Sequence, residues 1–266
     1  MTAPLPVVMV VEGNIGVGKS TQIRRLQQLF EDNDRVVVLP EPVEEWVDKG
    51  FLQGMYDGTI SKGEFQHMVL MSLAGDLLKA LALKPTPAVI ITERSPWGNF
   101  HVFGQANLTG ASLALYQHTW ERVLGGMPSQ LDVRYVYLRA SVDTIVERMT
   151  TRGREAESKV PRDYLELLHE KHEAWLGKAA SDGSNGWCSI DASRDPDSVW
   201  QSLCQTLKGW FDRAGESFKT QRKEPVATCD LERNLTVMIK CAQAASQALE
   251  LESPKRLDKQ PPSSTA

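Results

Sequence analysis

A glycine-rich segment near the start of the chain carries residue types that bind phosphate. Gly13, Gly18, Lys19 and Ser20 occupy the four positions that define a phosphate-binding loop, between an apolar run and a helical pattern. Glycines let backbone N–H groups turn toward phosphate oxygens, a lysine adds positive charge, and a serine hydroxyl is a ligand for Mg²⁺. The residues predicted to bind a nucleotide here are Gly13, Asn14, Ile15, Gly16, Val17, Gly18, Lys19, Ser20 and Thr21.

Three charged residues lie at the ends of two later apolar runs. Glu41 follows a short run of valines and leucine, and Glu93 and Arg94 follow the next such run. Ligands of parallel sheets bind at the carboxyl ends of strands, so we expect these residues to converge on the loop. Glu41 is then a candidate general base, Glu93 a candidate Mg²⁺-site residue beside Ser20, and Arg94 a candidate clamp. Singly, each is equally consistent with an exposed charge, but together they predict phosphoryl transfer.

A second set of basic residues lies farther along the chain. Arg148 precedes Arg152 by one helical turn, and Gly153 separates Arg152 from Arg154. This pattern favours a lid that closes over a nucleotide and places arginines on its phosphates. The alternative is a solvated charged turn.

The intervening chain alternates short apolar runs with helical patterns, which predicts an α/β fold with a five-stranded parallel sheet flanked by helices. The predicted strands are residues 7–11, 35–39, 88–92, 133–138 and 187–190. The predicted helices are residues 21–30, 60–83, 113–124, 141–149, 161–176 and 198–211.

Composition changes near the carboxyl end. Residues 1–217 are predicted to form the one folded domain, and 218–266 a C-terminal extension. Within the extension, 218–229 read as a linker, 230–252 as an amphipathic helix, and the Pro/Ser-rich end as disordered.

Charge and composition limit the classes of partner that the chain is expected to bind. The 266 residues carry a net charge of −4 and are 41% hydrophobic. An acidic chain disfavours nucleic acid or an anionic membrane as partner, and no apolar run is long enough to span a bilayer. The first strand begins by residue 6, so we expect a cytoplasmic protein, or a mitochondrial one if a presequence is missing.

Residues 7–217 resemble the deoxynucleoside kinase family, which includes deoxycytidine kinase, deoxyguanosine kinase and the mitochondrial-type thymidine kinase. The resemblance implies a P-loop kinase fold with an arginine-rich lid, ATP as phosphate donor, Mg²⁺, a deoxynucleoside substrate and a homodimer. It rests on residues 12–21, Pro40-Glu41-Pro42-Val43, Met55-Tyr56, Phe65-Gln66, Glu93-Arg94-Ser95, Arg152-Gly153-Arg154 with Glu157, Val160-Pro161, His169, His172 and Trp175.

The same resemblance implies residue roles. Glu41 deprotonates the sugar 5′-hydroxyl beside Arg94, and Ser20 and Glu93 hold Mg²⁺. Tyr56 and Glu157 bind the 3′-hydroxyl. The implied base-pocket residues are Trp46, Phe65, Gln66, Val69, Leu73, Asn99 and Phe103, with Gln66 on the base edge and Phe103 stacked on the base. The implied ATP contacts outside the loop are Arg148, Arg152 and Arg154, with the segment from Asp191 to Asp195 over the adenine.

Two positions bear on which nucleobase the deoxynucleoside substrate carries. Members that prefer deoxycytidine or purines resemble one another in carrying an arginine seven residues after this glutamine and an aspartate six after this glutamate. Leu73 and Asn99 stand there in this chain. The apolar Leu73, with Val69, resembles thymidine-accepting members, although Asn99 replaces their usual small residue. We therefore expect thymidine, with some breadth toward other pyrimidine deoxynucleosides.

Three other classes of protein could also carry a phosphate-binding loop. Thymidylate kinase shares the fold and the loop, but its E-P-G-G-T and D-R-Y motifs are replaced by Glu41-Pro42-Val43-Glu44 and Glu93-Arg94-Ser95. A regulatory GTPase would carry N-K-x-D, which this chain lacks. A scaffold that keeps a nucleotide for stability would not need Glu41, Glu93 and Arg94 together.

Overall fold

The computed structural model describes residues 5–153, 160–177 and 186–220, with side chains described up to residue 211. The predicted linker after 220 and the predicted helix over 230–252 lie outside the described residues.

A five-stranded sheet forms the centre of the molecule, and all its strand pairs are parallel. The strand order is β2-β3-β1-β4-β5, which places β1 in the middle. Parallel strands covered on both faces are uniformly apolar, and the six residues of β1 are all buried. This confirms the predicted fold class. The strands are β1 (Val7–Glu12), β2 (Val36–Leu39), β3 (Val89–Glu93), β4 (Val133–Arg139) and β5 (Trp187–Asp191).

Helices connect the strands and cover both faces of the sheet. The helices are α1 (Lys19–Leu29), α2 (Val43–Asp48), α3 (Phe51–Asp57), α4 (Lys62–Leu81), α5 (Pro96–Gly98), α6 (Gln105–Asn107), α7 (Gly110–Gly125), α8 (Val142–Arg152), α9 (Arg162–His172) and α10 (Pro196–Thr220). Two π-helical segments, Asn99–Gly104 and Glu173–Gly177, join α5 to α6 and extend α9.

The core has one apolar layer on each face of the sheet. Alternate residues of a strand point to opposite faces, and β1 follows this rule. Met9 and Val11 pack into one layer, whereas Val8 and Val10 pack into the other. The sheet is therefore rigidly supported from both sides, and its strand ends have fixed positions.

Helix α4 begins where the sequence indicates. Ser61 accepts a hydrogen bond from the Glu64 backbone N–H at 3.2 Å, and the Glu64 side chain accepts one from the Ser61 N–H at 2.7 Å. This reciprocal cap satisfies donors that a helix start leaves unpaired. Within the described residues, no helix has the length and apolarity needed to cross a membrane.

Three parts of the fold differ from the predicted elements. No helix is predicted over residues 43–57, yet α2 and α3 form there, and none is predicted over the helical segment Pro96–Asn107. These helices are short, and short helices give weak periodic signals. Helix α10 also runs to Thr220, so residues 218–220 are helical rather than part of a linker.

Candidate active site

The phosphate-binding loop connects β1 to α1. Gly13 adopts a φ of 148°, and a Cβ there would lie 2.6 Å from the Leu138 carbonyl oxygen, so only glycine fits. Asn14, within the loop, ties it to helix α9, because the Asn14 Nδ2 donates to the Leu165 carbonyl at 2.9 Å. Lys19 Nζ donates to the carbonyl oxygens of Gly13 and Asn14 at 2.9 and 3.0 Å. The lysine side chain is therefore held against the backbone of its own loop.

The predicted strand-end residues meet beside this loop. Because β2, β3 and β1 are neighbours in the sheet, Glu41, Glu93 and Lys19 come together at their carboxyl ends. Ser20 Oγ donates to Glu93 Oε1 at 2.6 Å, and the Glu41 backbone N–H donates to Glu93 Oε2 at 3.4 Å. Arg94 Nη1 donates to Glu41 Oε1 in an ion pair. The structure thus brings together the five residues predicted to do chemistry here, which are Lys19, Ser20, Glu41, Glu93 and Arg94.

Arg94 has an unusual backbone. Its φ of 62° makes it the one described non-glycine residue with a positive φ. Its N–H donates to the Val11 carbonyl at 3.0 Å, and its own carbonyl accepts from Thr92 Oγ1 at 2.8 Å. Its guanidinium carbon lies 3.7 Å from the centre of the Phe103 ring. Backbone strain of this kind concentrates at functional sites, where the surroundings hold it in place.

An apolar cluster extends toward the site at Leu73, which lines the same cavity as Glu93 and Arg94. Trp46, Phe65, Val69 and Leu73 are all buried and pack together, with α2 and α3 covering them. Trp46 and Phe65 meet edge to face, with ring centres 6.0 Å apart. Four of the predicted base-pocket residues are therefore neighbours. Tyr56, on α3, is half-buried.

Two polar atoms within this region have no protein partner. Gln66 Oε1 and Trp46 Nε1 are buried and form no hydrogen bond. Buried polar atoms in proteins are nearly always paired, so an unpaired acceptor and an unpaired donor at the apolar cluster favour a polar ligand at that place.

Asn99 is placed differently from the other predicted pocket residues. It is fully buried, and its amide contacts three protein groups: Arg94, the Gln66 backbone carbonyl and the Tyr116 hydroxyl. Phe103 lies in the same π-helical segment as Asn99, with one face toward the Arg94 guanidinium.

Burial dominates the electrostatics of the site. It raises the pKa of Glu93, although nearby Lys19 opposes the shift, and it lowers the pKa of Lys19. Burial also raises the pKa of Glu12, the last residue of β1, to about 7, against the attraction of Arg94. A buried set of carboxylates and cations reorganises little when a charged ligand binds, which suits transfer of a charged group.

Arg148 links the phosphate-binding loop to the segment after β5. Its guanidinium donates to the carbonyl oxygens of Val17, Ala192, Ser193 and Arg194 at 3.3, 2.6, 3.2 and 2.9 Å. Arg148 therefore connects the loop, through Val17, to the segment predicted to cover the adenine, through residues 192–194.

The remaining predicted nucleotide contacts lie farther out. Asp191 is exposed, and its Oδ1 accepts hydrogen bonds from the backbone N–H and hydroxyl of Ser193 at 2.9 and 2.6 Å. Arg152 is exposed at the end of α8. Arg154 and Glu157 lie outside the described residues.

The site therefore combines a phosphate cradle, a hydroxyl and a carboxylate in contact, a carboxylate paired with an arginine, and an apolar pocket. These are the parts that phosphoryl transfer to a small organic acceptor needs. In agreement, the sequence model of one family, described as deoxynucleoside kinase, matches residues 9–237. The chain belongs to the deoxynucleoside kinase family. It is an ATP-dependent phosphotransferase that acts on deoxynucleosides. This family membership favours the predicted deoxynucleoside kinase over the alternatives of a thymidylate kinase and a regulatory GTPase.

Curated relatives include members with different named substrates. The chain is 34% identical to deoxycytidine kinase 1 of Xenopus laevis over 200 residues, covering 62% of this chain and 72% of the relative. It is 32% identical to deoxycytidine kinase of Homo sapiens over 196 residues, covering 62% and 74%. It is also 32% identical to thymidine kinase of Ictalurid herpesvirus 1 (strain Auburn) over 213 residues, covering 77% and 87%.

The oxygen donors fit Mg²⁺. The Ser20 hydroxyl and the Glu93 carboxylate are hard ligands in direct contact, beside the loop predicted to bind phosphate. No cluster of three or more His, Cys, Asp or Glu within the described residues is arranged to hold a metal. Kinase Mg²⁺ sites use one or two carboxylates and complete the shell with phosphate oxygens and water, so this donor set is sufficient.

Two residues of the site have no role predicted from the sequence. Glu12 accepts from Ser95 Oγ at 2.7 Å and so ties β1 to the turn after Arg94. Tyr116, in the middle of α7, reaches Asn99. Glu12 lies inside the motif 12–21, but a glutamate at the end of an apolar run and a tyrosine in a helix carry no spacing signal that assigns them a role in the site.

Proposed function

We propose that this deoxynucleoside kinase phosphorylates the 5′-hydroxyl of thymidine, with other pyrimidine deoxynucleosides as poorer substrates. The observation that carries the proposal is the apolar cluster around Leu73. Leu73 is 8% exposed and packs with Val69, so the pocket wall has no charge at that position. Such a wall suits the 5-methyl group of thymine, because cytosine carries only a hydrogen at C5 and would bury less apolar surface against it.

The unpaired amide oxygen of Gln66 supports pyrimidine recognition. A glutamine amide offers one acceptor and two donor hydrogens, which matches the alternating donors and acceptors on a pyrimidine edge. Gln66 Oε1 is buried and has no protein partner, so a ligand donor would satisfy it. Phe103 stacks on the base, while Trp46 and Phe65 bound the pocket. Tyr56 and Glu157 bind the 3′-hydroxyl.

Glu41 is the proposed general base. Its carboxylate is held by Arg94 at the carboxyl end of β2, next to the loop that holds the phosphates. In this position it takes the proton of the 5′-hydroxyl as that oxygen attacks the γ-phosphorus of ATP. The proton of the 5′-hydroxyl is transferred to the Glu41 carboxylate. The bond from the γ-phosphorus to its bridging oxygen breaks, and ADP is the leaving group.

The cations of the site act on the phosphate charge. Lys19 neutralises the outer phosphates, and Arg94 stabilises charge next to the transferred group. Ser20 and Glu93 would hold Mg²⁺, which would supply positive charge to the phosphate groups. Arg148, Arg152 and Arg154 bind the ATP phosphates. The segment that begins at Asp191 covers the adenine. We also propose a homodimer that forms through helices of the middle region.

A product assay tests the proposal. The chain is incubated with Mg²⁺ and ATP, and thymidine, deoxycytidine, deoxyadenosine, deoxyguanosine and thymidine monophosphate are offered separately. We expect thymidine monophosphate from thymidine at the highest kcat/KM. A preference for deoxycytidine or a purine would overturn the base assignment, and diphosphate formed only from thymidine monophosphate would overturn the acceptor assignment. Size-exclusion chromatography with light scattering tests the dimer.

A further inference from the structure

Asn99 lies between the ion pair and the helix that carries Gln66. Its Oδ1 accepts from Arg94 Nη2 at 3.0 Å. Its Nδ2 donates to the Gln66 backbone carbonyl at 3.2 Å and to the Tyr116 hydroxyl at 2.6 Å. The residue is 0% exposed. Both ends of the amide are therefore engaged by protein groups.

The chemistry of the neighbours fixes the orientation of this amide. A guanidinium can only donate hydrogen bonds, and a peptide carbonyl can only accept them. A flipped amide would place Nδ2 against Arg94 and Oδ1 against the Gln66 carbonyl, so both contacts would become repulsive. One orientation alone is consistent with the two neighbours.

Tyr116 holds its position independently of this hydrogen bond. Its ring is 0% exposed and meets the His67 ring edge to face, with centres 5.0 Å apart. It also stacks on Phe100 at 6.1 Å. A Cβ on Gly104 would lie 2.6 Å from the ring, so the backbone packs directly against it. The hydroxyl is thus a fixed acceptor presented by α7.

We propose that Asn99 and Tyr116 are positioning residues: the Tyr116 hydroxyl holds the Asn99 amide, which aims the Arg94 guanidinium at Glu41. The inference rests on the proposed function, because it assigns the Arg94–Glu41 pair to the transfer step. The same amide ties Arg94 to the main chain at Gln66. Binding of the base and alignment of the catalytic pair therefore share one hydrogen-bonded connection. Asn99 acts through Arg94 rather than by touching the base.

The test uses Tyr116→Phe in the full chain, since phenylalanine keeps the packed ring and removes only the hydroxyl. Tyr164→Phe is the matched control. The Tyr164 hydroxyl accepts from Asn107 Nδ2 at 2.8 Å, and Asn107 also donates to the Phe103 carbonyl at 2.9 Å. This pair repeats the arrangement of Tyr116 with Asn99 without a hydrogen bond to Arg94.

We expect Tyr116→Phe to lower kcat with thymidine by roughly three- to tenfold, the effect of one lost neutral hydrogen bond on an aligned group. The KM for ATP should stay within about twofold of the wild type, because the phosphate-binding loop is not touched. Tyr164→Phe should keep kcat within about twofold. Equal kcat values for the two variants would overturn the inference.

Asn99 variants separate positioning from direct base recognition. In an Asn99→Ala background, adding Tyr116→Phe should cause no further loss of kcat, whereas independent, multiplying losses would overturn the inference. Asn99→Asp should lower thymidine turnover without raising that of deoxycytidine, since its second oxygen would face the Gln66 carbonyl. A gain with deoxycytidine would mean that residue 99 reads the base. A wild-type chain inactive on every deoxynucleoside would overturn the proposed function itself, whereas an active wild type with unaffected Tyr116→Phe overturns this inference alone.

Discussion

Arg94 and Glu41 form an ion pair across the carboxyl ends of β3 and β2, with only 7% and 11% of their side chains exposed. Burying two charges costs free energy that their attraction offsets only when the geometry is good. Stability alone therefore does not explain such a pair. Its position beside Lys19 and Glu93 agrees with the proposed role in chemistry, because phosphoryl transfer needs both a carboxylate near the acceptor and cations near the phosphates.

Leu73→Ala should weaken the discrimination between thymidine and deoxyuridine, which differ by one methyl group. A buried methyl is worth about 0.8 kcal/mol, so we expect the thymidine preference in kcat/KM to fall by about three- to fourfold. Competition assays with the two nucleosides measure it. Leu81→Ala is the control, because Leu81 is also buried in α4 but outside the apolar cluster of Leu73. An unchanged preference in Leu73→Ala would place the methyl group elsewhere.

Glu93→Gln should raise the Mg²⁺ concentration needed for half-maximal activity by roughly tenfold or more, since an amide is a poorer ligand than a carboxylate. Titration of initial rate against Mg²⁺ at fixed ATP gives this value. Glu44→Gln makes the same change of charge at an exposed position of α2 and should leave the titration unchanged. The proposed metal site is wrong if the two variants titrate alike.

Gly98→Ala should destabilise the fold. A Cβ at this position would lie 2.1 Å from Glu12 Oε1, which is far inside contact distance. We expect a loss of about 1–3 kcal/mol in the free energy of unfolding, typical of overpacking. Gly209→Ala in α10 has open space around its Cβ and should gain up to about 1 kcal/mol. Urea unfolding compares the two, and a stable Gly98→Ala would show that the Glu12 side chain moves freely.

Glu12 should make stability depend on pH. Its pKa rises from 4.5 to about 7 through burial. The stability contributed by the protonated carboxyl is complete below about pH 4.5 and is lost as the pH rises through about 7. Glu12→Gln mimics the protonated form, so its stability relative to the wild type should increase by up to about 3 kcal/mol over this range. Urea unfolding at pH values on either side measures the change. A constant difference would mean that Glu12 does not titrate there.

The sequence predicted the parts of the fold that have strong periodic signals. All five strands and the long helices α1, α4 and α7 to α9 form where apolar spacing indicated, with small shifts at their ends. Helix α10 also forms there but runs nine residues past its predicted end, from 211 to Thr220. Parallel strands that are buried on both faces read as continuous apolar runs, and β1 shows this directly. The phosphate-binding loop and the residues at strand ends could be predicted because their chemistry is tied to fixed positions in such a sheet.

The connections inside the site could not be predicted. The hydrogen bonds from Asn99 to Arg94, Gln66 and Tyr116 join segments far apart in the chain, and no local pattern encodes them. The positive φ of Arg94 could not be predicted from the sequence either, because tertiary contacts hold this backbone conformation in place. The contacts of Arg148 with backbone carbonyls depend on how the segment after β5 packs against the loop.

The most direct test of the account is the turnover of Glu41→Gln with thymidine, Mg²⁺ and ATP. Glutamine keeps an oxygen that accepts from Arg94 but cannot take the proton of the 5′-hydroxyl. A general base supplies roughly 10²- to 10⁴-fold, so we predict that kcat falls at least about a hundredfold. The melting temperature and the affinity for ATP should stay close to those of the wild type. Wild-type turnover in this variant would contradict the assignment of Glu41 as the base.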